Sequence, residues 1–488
     1  DRISLLVRPS LEFIPLVFAV FKVGALPVLI DPGMGRKAFL ACLERMAPRV
    51  LVAVPLVQAL KGLFPRAFAS VEVSVTAGRT TGWWGGVTLD ALALFEDRPF
   101  ETVRTRSEDE AAILFTSGST GPAKGVVYTH GIFDAQARFI QQMYGIEPGE
   151  VDLACFPLFG LFSMALGMTV VIPELDPTRP ASADPAKLVE AIQNQGCTSA
   201  FGSPAIWKNV ARHCLQHDIR LPSLRRIQMA GAPVPPSLHE AFGKILTDGA
   251  EIHTPYGATE SLPVSSVSSR TILDETAART REGAGTCVGA PAPRMAIRII
   301  RIDDDPIERW EDVEELPPNV VGEICVRGPV VTPRYEGEPE HTRAAKIIER
   351  VDGQERIVHR MGDVGYLDER GRLWFCGRKK HRVERPDGPT LFPVPVEAIF
   401  DEHPDVFKSA LVGVDGEPRI VVQLEASVTR DRRAIARELL ALGADHAHTQ
   451  PIQKVHFHPR FPVDVRHNAK IHREQLAAWA ASAPAHEV

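Results

Sequence analysis

Apolar and polar positions alternate in two rhythms along the first two hundred or so residues. Short unbroken apolar runs have the length of buried strands, and the stretches between them repeat an apolar residue every three or four positions, as amphipathic helices do. The chain opens on an apolar strand, continues as a helix around Leu11 to Val23, and returns as a second strand from Ala25 to Ile30 that ends at Asp31-Pro-Gly. Arg49 to Val54 and Ala111 to Phe115 read as further buried strands, and Pro185 to Gln195 reads as a helix ahead of the apolar Thr198 to Phe201. Strands alternating with helices predict parallel sheets covered by helices. From Ala296 the texture changes to short runs, Ala296 to Ile302, Gly322 to Val326 and Arg372 to Cys376, divided by Pro, Gly and acidic residues. That pattern predicts a smaller β-rich subdomain.

After Gly377 comes a charged, turn-rich connection. Beyond it lie a helix from Val394 to Phe400, strands from Ser409 to Val414 and Ile420 to Glu425, and a helix from Arg432 to Leu442. The expected fold is α/β: a large N-terminal domain over 1–380, built of parallel α/β sheets plus the β-rich subdomain, and a small mobile α+β C-terminal domain over 381–488. Leu153 to Pro173 carries no charge, and its length meets the roughly 20 residues a membrane span needs. Pro157, Gly160, Gly167 and Pro173 interrupt it and no Lys/Arg clusters flank it, so it reads as a buried strand, turn and helix, not a transmembrane segment.

Composition narrows the function classes. The chain has 488 residues with 44% hydrophobic and 24% charged, ordinary globular values. A net charge of −6 gives no basic field for nucleic acid, so an anionic ligand must be held by local chemistry. The seven cysteines are scattered without a paired C-x-x-C, which fits a reduced, cytoplasmic setting and no structural zinc. No secretory signal is visible at the start.

The strongest chemical signal runs from Ile113 to Val126, an apolar strand that enters hydroxyl- and glycine-rich backbone and leaves as another apolar run. Thr116, Ser117, Gly118, Ser119, Thr120 and Gly121 supply hydroxyls, free N–H groups and close backbone approach, and Lys124 adds a full positive charge. The chemistry suits a triphosphate. The pattern G-x-x-x-x-G-K-[ST] is not met, because Lys124 follows Ala123 and precedes Gly125, so the phosphate loop is of another class.

This segment resembles the phosphate loop of the acyl-adenylate-forming superfamily, which includes acyl-CoA synthetases, luciferases and the adenylation domains of peptide synthetases. Gly231, Ala232 and Pro233 resemble its adenine-contacting turn. The run Tyr256, Gly257, Ala258, Thr259, Glu260 resembles the segment whose Tyr packs on adenine, whose Thr contacts the α-phosphate and whose Glu holds Mg²⁺. Asp363 matches the carboxylate that grips the ribose hydroxyls, and Arg378 the ribose-contacting Arg. Lys470 matches the lysine of the small domain that reaches the carboxylate and α-phosphate during adenylation. Singly, each residue also fits a turn, a helix start or a solvated surface; five in order carry the resemblance. It spans essentially the whole chain and implies that about 50 or more residues precede residue 1. It further implies ATP and Mg²⁺ as cofactors, with Lys124, Thr259, Glu260 and Lys470 catalytic and Glu260 the metal ligand.

Three departures bear on the second half-reaction. His381 stands where the acyl-CoA synthetase pattern has its hinge Asp, the paired-glycine loop along the pantetheine path is replaced by Glu384 to Leu391 with two prolines, and Ala469 replaces the Gly before the lysine. The set is similar to the β-lactone synthetases of bacterial long-chain olefin biosynthesis. That resemblance implies a long-chain (2-alkyl-)3-hydroxy acid as substrate, closed to a β-lactone after adenylation, with other enzymes of that pathway as partners. A long-chain fatty acyl-CoA synthetase or fatty acyl-AMP ligase is the other reading. Phe156, Leu158, Phe159 and Phe162 resemble the acyl-pocket segment, with Gly160 in place of a frequent His, a change expected to leave room for a second alkyl chain.

Overall fold

The computed structural model describes every residue except 9, 79–80, 93, 96–97, 117–122, 177–178, 464–470 and 488, with no side chain described at 32 or 116. Among the described residues, two large sheets carry most of the chain and a three-stranded sheet lies near its C-terminus.

The first sheet runs in the order Val87–Thr88, Val73–Thr76, Val50–Ala53, Arg2–Leu6, Leu26–Leu29, Glu110–Thr116, Lys124–Thr129. Its pairings are parallel except the last, where Thr116 lies opposite Lys124. The helix Phe13–Lys22 buries Phe13, Ile14, Val17 and Val20 on one side, and Arg36–Met46 buries Phe39, Cys42, Leu43 and Met46 on the other. Apolar residues on both faces of the central strands are the sequence mark of that double covering.

The second sheet changes character partway. Thr169–Val171, Val151–Ala154, Ser199–Gly202, Arg226–Met229 and Glu251–Ala258 pair in parallel. Glu251–Ala258 then turns back on Ser261–Ser268, and from that hairpin outward the pairings are antiparallel. The β-rich part expected from Ala296 onward therefore continues the parallel sheet, and the candidate Tyr256 to Glu260 segment sits at the change of direction. Helices cover the parallel half around the fully buried Trp207. The helix Pro185–Gln195 shows why its bounds were legible: Asp184 accepts from the Ala186 N–H at 3.0 Å, Pro185 starts it, and Gly196 ends it at φ 59°.

The uncharged stretch forms the strand Val151–Ala154, the helix Pro157–Ala165 and the strand Thr169–Val171. Among the described residues no helix is long and apolar enough to cross a membrane. The charged connection after Gly377 is more ordered than a turn-rich linker: Val383–Arg385 and Gly388–Leu391 pair as a small hairpin. Near the C-terminus, Val406–Val414, Glu417–Leu424 and Val455–Phe457 form the three-stranded sheet. Pro393–Phe400 and Arg432–Ala444 cover one face of it and Arg473–Ala480 the other.

Phe400 is fully buried in that last core, and a Cβ added at Gly443 would stand 2.9 Å from its ring, so the packing is tight. Phe400→Ala is expected to cost about 3–5 kcal/mol of stability, read by urea unfolding followed by tryptophan fluorescence. A loss below about 1 kcal/mol would mean that the core collapses around the vacancy.

Candidate active site

The C-terminal ends of parallel strands from both large sheets open into one cleft of about 3220 Å³. Such ends are where open α/β sheets place their ligands. Lys124 and Tyr128 reach it from the first sheet, and Gly231, Ala232, Pro233, Tyr256, Gly257, Thr259 and Glu260 from the second. Asp363 and Arg378 come from its antiparallel half, and Ile471, His472 and Arg473 from the C-terminal part. Gly231 follows the strand Arg226–Met229 with φ 93°, a conformation that glycine adopts without strain.

Asp363 and Arg378 face each other across adjacent antiparallel strands, and Nη1 lies 3.0 Å from Oδ1. The Tyr256 hydroxyl donates to Asp363 Oδ2 at 2.6 Å. Asp363 is 3% exposed, a carboxylate that burial permits only because it is paired. Burial and then the Asp363 charge push the Tyr256 phenol well above its ordinary value, and Asp363 holds Arg378 more firmly protonated.

The Thr259-Glu260 turn is held from several sides. Tyr128 donates to the Thr259 carbonyl at 2.5 Å, and the Thr332 N–H and hydroxyl donate to the Glu260 carbonyl at 2.9 and 3.0 Å. The Glu260 side chain accepts from the Tyr335 hydroxyl at 2.7 Å, and Lys124 Nζ stands 5.2 Å from the Tyr335 ring centre. Behind Thr332 lies Lys346, 6% exposed, donating to the Thr332 hydroxyl at 3.3 Å. Tyr335 and Lys346 were not foreseen, although Lys346 interrupts an apolar run from Ala344 to Ile348, a charge where a buried strand has none. Tyr128 had a plainer signal, since a period of two puts it on the Lys124 face of its strand.

The acyl-pocket candidates Phe156, Leu158, Phe159 and Phe162 line the cleft, and a row of rings joins them to the turn. Phe159 stacks on Phe201 with centroids 4.0 Å apart, Phe162 stands 6.1 Å from Phe159 and 6.2 Å from Phe133, and Phe133 stacks on Tyr128 at 5.0 Å. Gly160 departs from its expected use. A Cβ there would meet Val170 Cγ1 at 3.0 Å, so the glycine lets the helix pack on the neighbouring strands and opens no space.

Ser117, Gly118, Ser119, Thr120, Gly121 and Lys470 lie outside the described residues, as does the Thr116 side chain. Their flanks are placed: Thr116 pairs with Lys124, and Val463 pairs with Ile471, which lines the cleft. His381 lies 14% exposed beside Glu474, with Nε2 3.7 Å from Oε1, while Lys380 donates to the same oxygen at 2.6 Å. Burial, then the charges of Arg473 and Lys380, push His381 down to about 4. For a divalent cation the described residues offer Glu260, and among them no group of three His, Cys, Asp or Glu converges. One carboxylate in the cleft wall fits Mg²⁺, which is commonly held by one or two carboxylates plus substrate phosphates.

Burial lowers Lys346 from 10.5 to about 7, with Glu260 opposing the shift. Between those values the unfolded chain binds more protons than the folded one, so stability from this group rises with pH across that window and its penalty is full at and below pH 7. Lys346→Met is therefore expected to stabilise by about 1–4 kcal/mol near pH 7, with the advantage shrinking towards pH 10. Urea unfolding of both proteins across that range checks it, and a difference independent of pH would contradict it.

The sequence profile of AMP-binding enzymes matches residues 1–336. Two relatives, each named olefin β-lactone synthetase, come from Xanthomonas campestris pv. campestris and Stenotrophomonas maltophilia. Each is 47% identical over 487 residues, 98% and 99% of this chain and 86% and 87% of theirs. Among solved structures, an amide bond synthetase from Marinactinospora thermotolerans superposes with a TM-score of 0.79 at 26% identity, over 98% of this chain and 90% of that one. The O-succinylbenzoate coenzyme A synthetase of Bacillus subtilis, in complex with ATP and a magnesium ion, shares the fold with a TM-score of 0.73 at 22% identity, over 98% and 89%. A cleft joining a buried carboxylate, paired with a half-exposed guanidinium, to a clamped Thr-Glu turn, on a chain matched by this profile over most of its length, has one reading: the protein belongs to the AMP-binding enzyme family and is an adenylate-forming ligase.

Proposed function

We propose that the protein adenylates a long-chain 2-alkyl-3-hydroxy acid with ATP and Mg²⁺ and closes the product to a β-lactone, releasing AMP and pyrophosphate. The carrying observation is that one cleft contains both the polar cluster around Asp363, Arg378 and Glu260 and the aromatic row from Tyr128 to Phe201. The names of the 47%-identical relatives point the same way.

In this reading Gly231 to Pro233 and Tyr256 flank adenine, and Asp363 accepts from the ribose hydroxyls beside Arg378. Thr259 contacts the α-phosphate. Lys124 and the Thr116 to Gly121 loop hold the departing pyrophosphate. Glu260 would hold Mg²⁺ together with the phosphates, and the ion when bound would supply charge neutralisation for the departing pyrophosphate. Lys470 balances charge between the carboxylate and the α-phosphate. The unit 381–488 closes on 1–380 about His381 to bring Lys470 in.

In the second step the 3-hydroxyl oxygen bonds to the acyl carbonyl carbon, the carbon–oxygen bond to AMP breaks, and the hydroxyl proton goes to the phosphate. Internal attack by a well-aligned group reaches effective molarities of about 10⁵ M or more, which ring strain reduces here. The hairpin over 383–391 and the partly buried His381 support this outcome over thioester formation, because the family pattern has glycines and a hinge Asp at these positions for the thiol arm and the domain rotation. The free cysteines, all buried, suit work in the cytoplasm.

Products from ATP, Mg²⁺ and such an acid, analysed by proton NMR and mass spectrometry with and without CoA, test the reading. The expected product forms without CoA, has the mass of the acid minus water and shows ring-proton signals. A thioester formed only with CoA would make the protein an acyl-CoA ligase, and a released acyl adenylate would make it an acyl-AMP ligase. Lys470→Ala and Glu260→Gln are each expected to lower AMP release on the order of 100-fold or more, measured in the same assay.

A further inference from the structure

Gln136 lies on the helix His130–Tyr144 and forms part of the cleft wall, although it is only 2% exposed. Its Nε2 donates to the Leu262 carbonyl at 2.8 Å, which assigns the two ends of the amide. The amide also reaches the Tyr128 phenol, whose hydroxyl holds the Thr259 carbonyl. Its Oε1 is buried and has no hydrogen-bond partner among the described residues. Buried acceptors are nearly always satisfied, and one left over in the wall of a ligand cleft marks where a ligand or a water donates. The surroundings define that donor. Phe133, one turn before Gln136 on the same helix, joins Tyr128 to the aromatic row, and Ile140 one turn after it lines the cleft. A neutral amide oxygen between an apolar wall and the Thr259 turn suits a hydroxyl on an otherwise aliphatic chain, a short way from the acyl carbonyl.

We infer that Gln136 recognises and positions the 3-hydroxyl of the substrate, its Oε1 accepting a hydrogen bond from that hydroxyl. The inference rests on the function proposed above. Gln136 takes no proton; it fixes the rotation about the C2–C3 bond so that the hydroxyl oxygen stays near the carbonyl carbon, which raises the effective concentration of the attacking group. An acid without the hydroxyl leaves Oε1 unpaired, so the site selects against it as early as adenylation.

The test compares ATP–pyrophosphate exchange on a 2-alkyl-3-hydroxy acid and on the 2-alkyl acid of the same skeleton, in wild type and in Gln136→Met, which keeps length and removes both polar atoms. Wild type is expected to prefer the hydroxy acid in kcat/KM on the order of 100-fold, and the variant to bring that ratio to within about threefold, mainly by losing activity on the hydroxy acid. Activity on the acid lacking the hydroxyl reports that the variant is folded, and Gln136→Leu is read identically if the methionine variant is unstable. Equal losses on both substrates would show a structural role or a bound water and overturn the inference, as would an unchanged ratio or a wild type without preference. Exchange precedes any acceptor, so a thioester in the CoA experiment would overturn the proposed function while leaving this ratio readable.

Discussion

A carboxylate buried to 3% cannot remain ionised without partners, and Asp363 takes two from different parts of the fold. Arg378 stands opposite it on the next antiparallel strand, and Tyr256 reaches it from the strand where the second sheet changes direction. Satisfying that one group sets the position of the Tyr256 to Glu260 segment relative to the antiparallel half. Removing either partner leaves a charge in a medium that does not solvate it, which is why these three residues behave as a unit.

The same solution recurs with neutral donors. All five tyrosines are hydrogen-bonded through their hydroxyls: Tyr128 to the Thr259 carbonyl, Tyr335 to Glu260, Tyr256 to Asp363, Tyr144 to Ser266 and Tyr366 to the Ala284 carbonyl. A phenol spans a packed layer with an apolar ring and delivers one donor at its far end. The first two therefore tie the Thr259-Glu260 turn to the Lys124 strand and to the segment after Thr332, so the expected phosphate lysine and metal carboxylate keep a fixed relation before any ligand enters. A site whose catalysis rests on placed charge gains most from such rigidity.

The apolar half of the cleft is organised by stacking. Rings from Tyr128, Phe133, Phe162, Phe159 and Phe201 form a continuous row, so the surface suited to an alkyl chain begins at the residue that holds the turn. Gln136 interrupts this apolar surface beside Tyr128 with its single unpaired acceptor. Near the C-terminus, Lys380 and His381 meet Glu474 and so hold the helix Arg473–Ala480 against the segment after Arg378, while Arg473 pairs with Glu397.

Local chemistry was legible in the chain itself. Periodicity placed the helix Pro185–Gln195 at its observed bounds, because its cap, first-turn proline and terminal glycine lie within the segment they delimit. The order of Lys124, Gly231, Tyr256, Glu260, Asp363 and Arg378 marked one site, and the structure brings all of them to one cleft. Which polar groups satisfy one another was not legible. Tyr128 meets Thr259 across 131 positions, Tyr256 meets Asp363 across 107 and Tyr335 meets Glu260 across 75, and no local pattern encodes such pairings. Gly160 shows the same limit from the other direction, since only its neighbours on the strand Thr169–Val171 reveal that the missing side chain serves packing. Sequence determines what each residue is able to do; burial, which depends on every other residue at once, decides which of those capacities must be met and by whom.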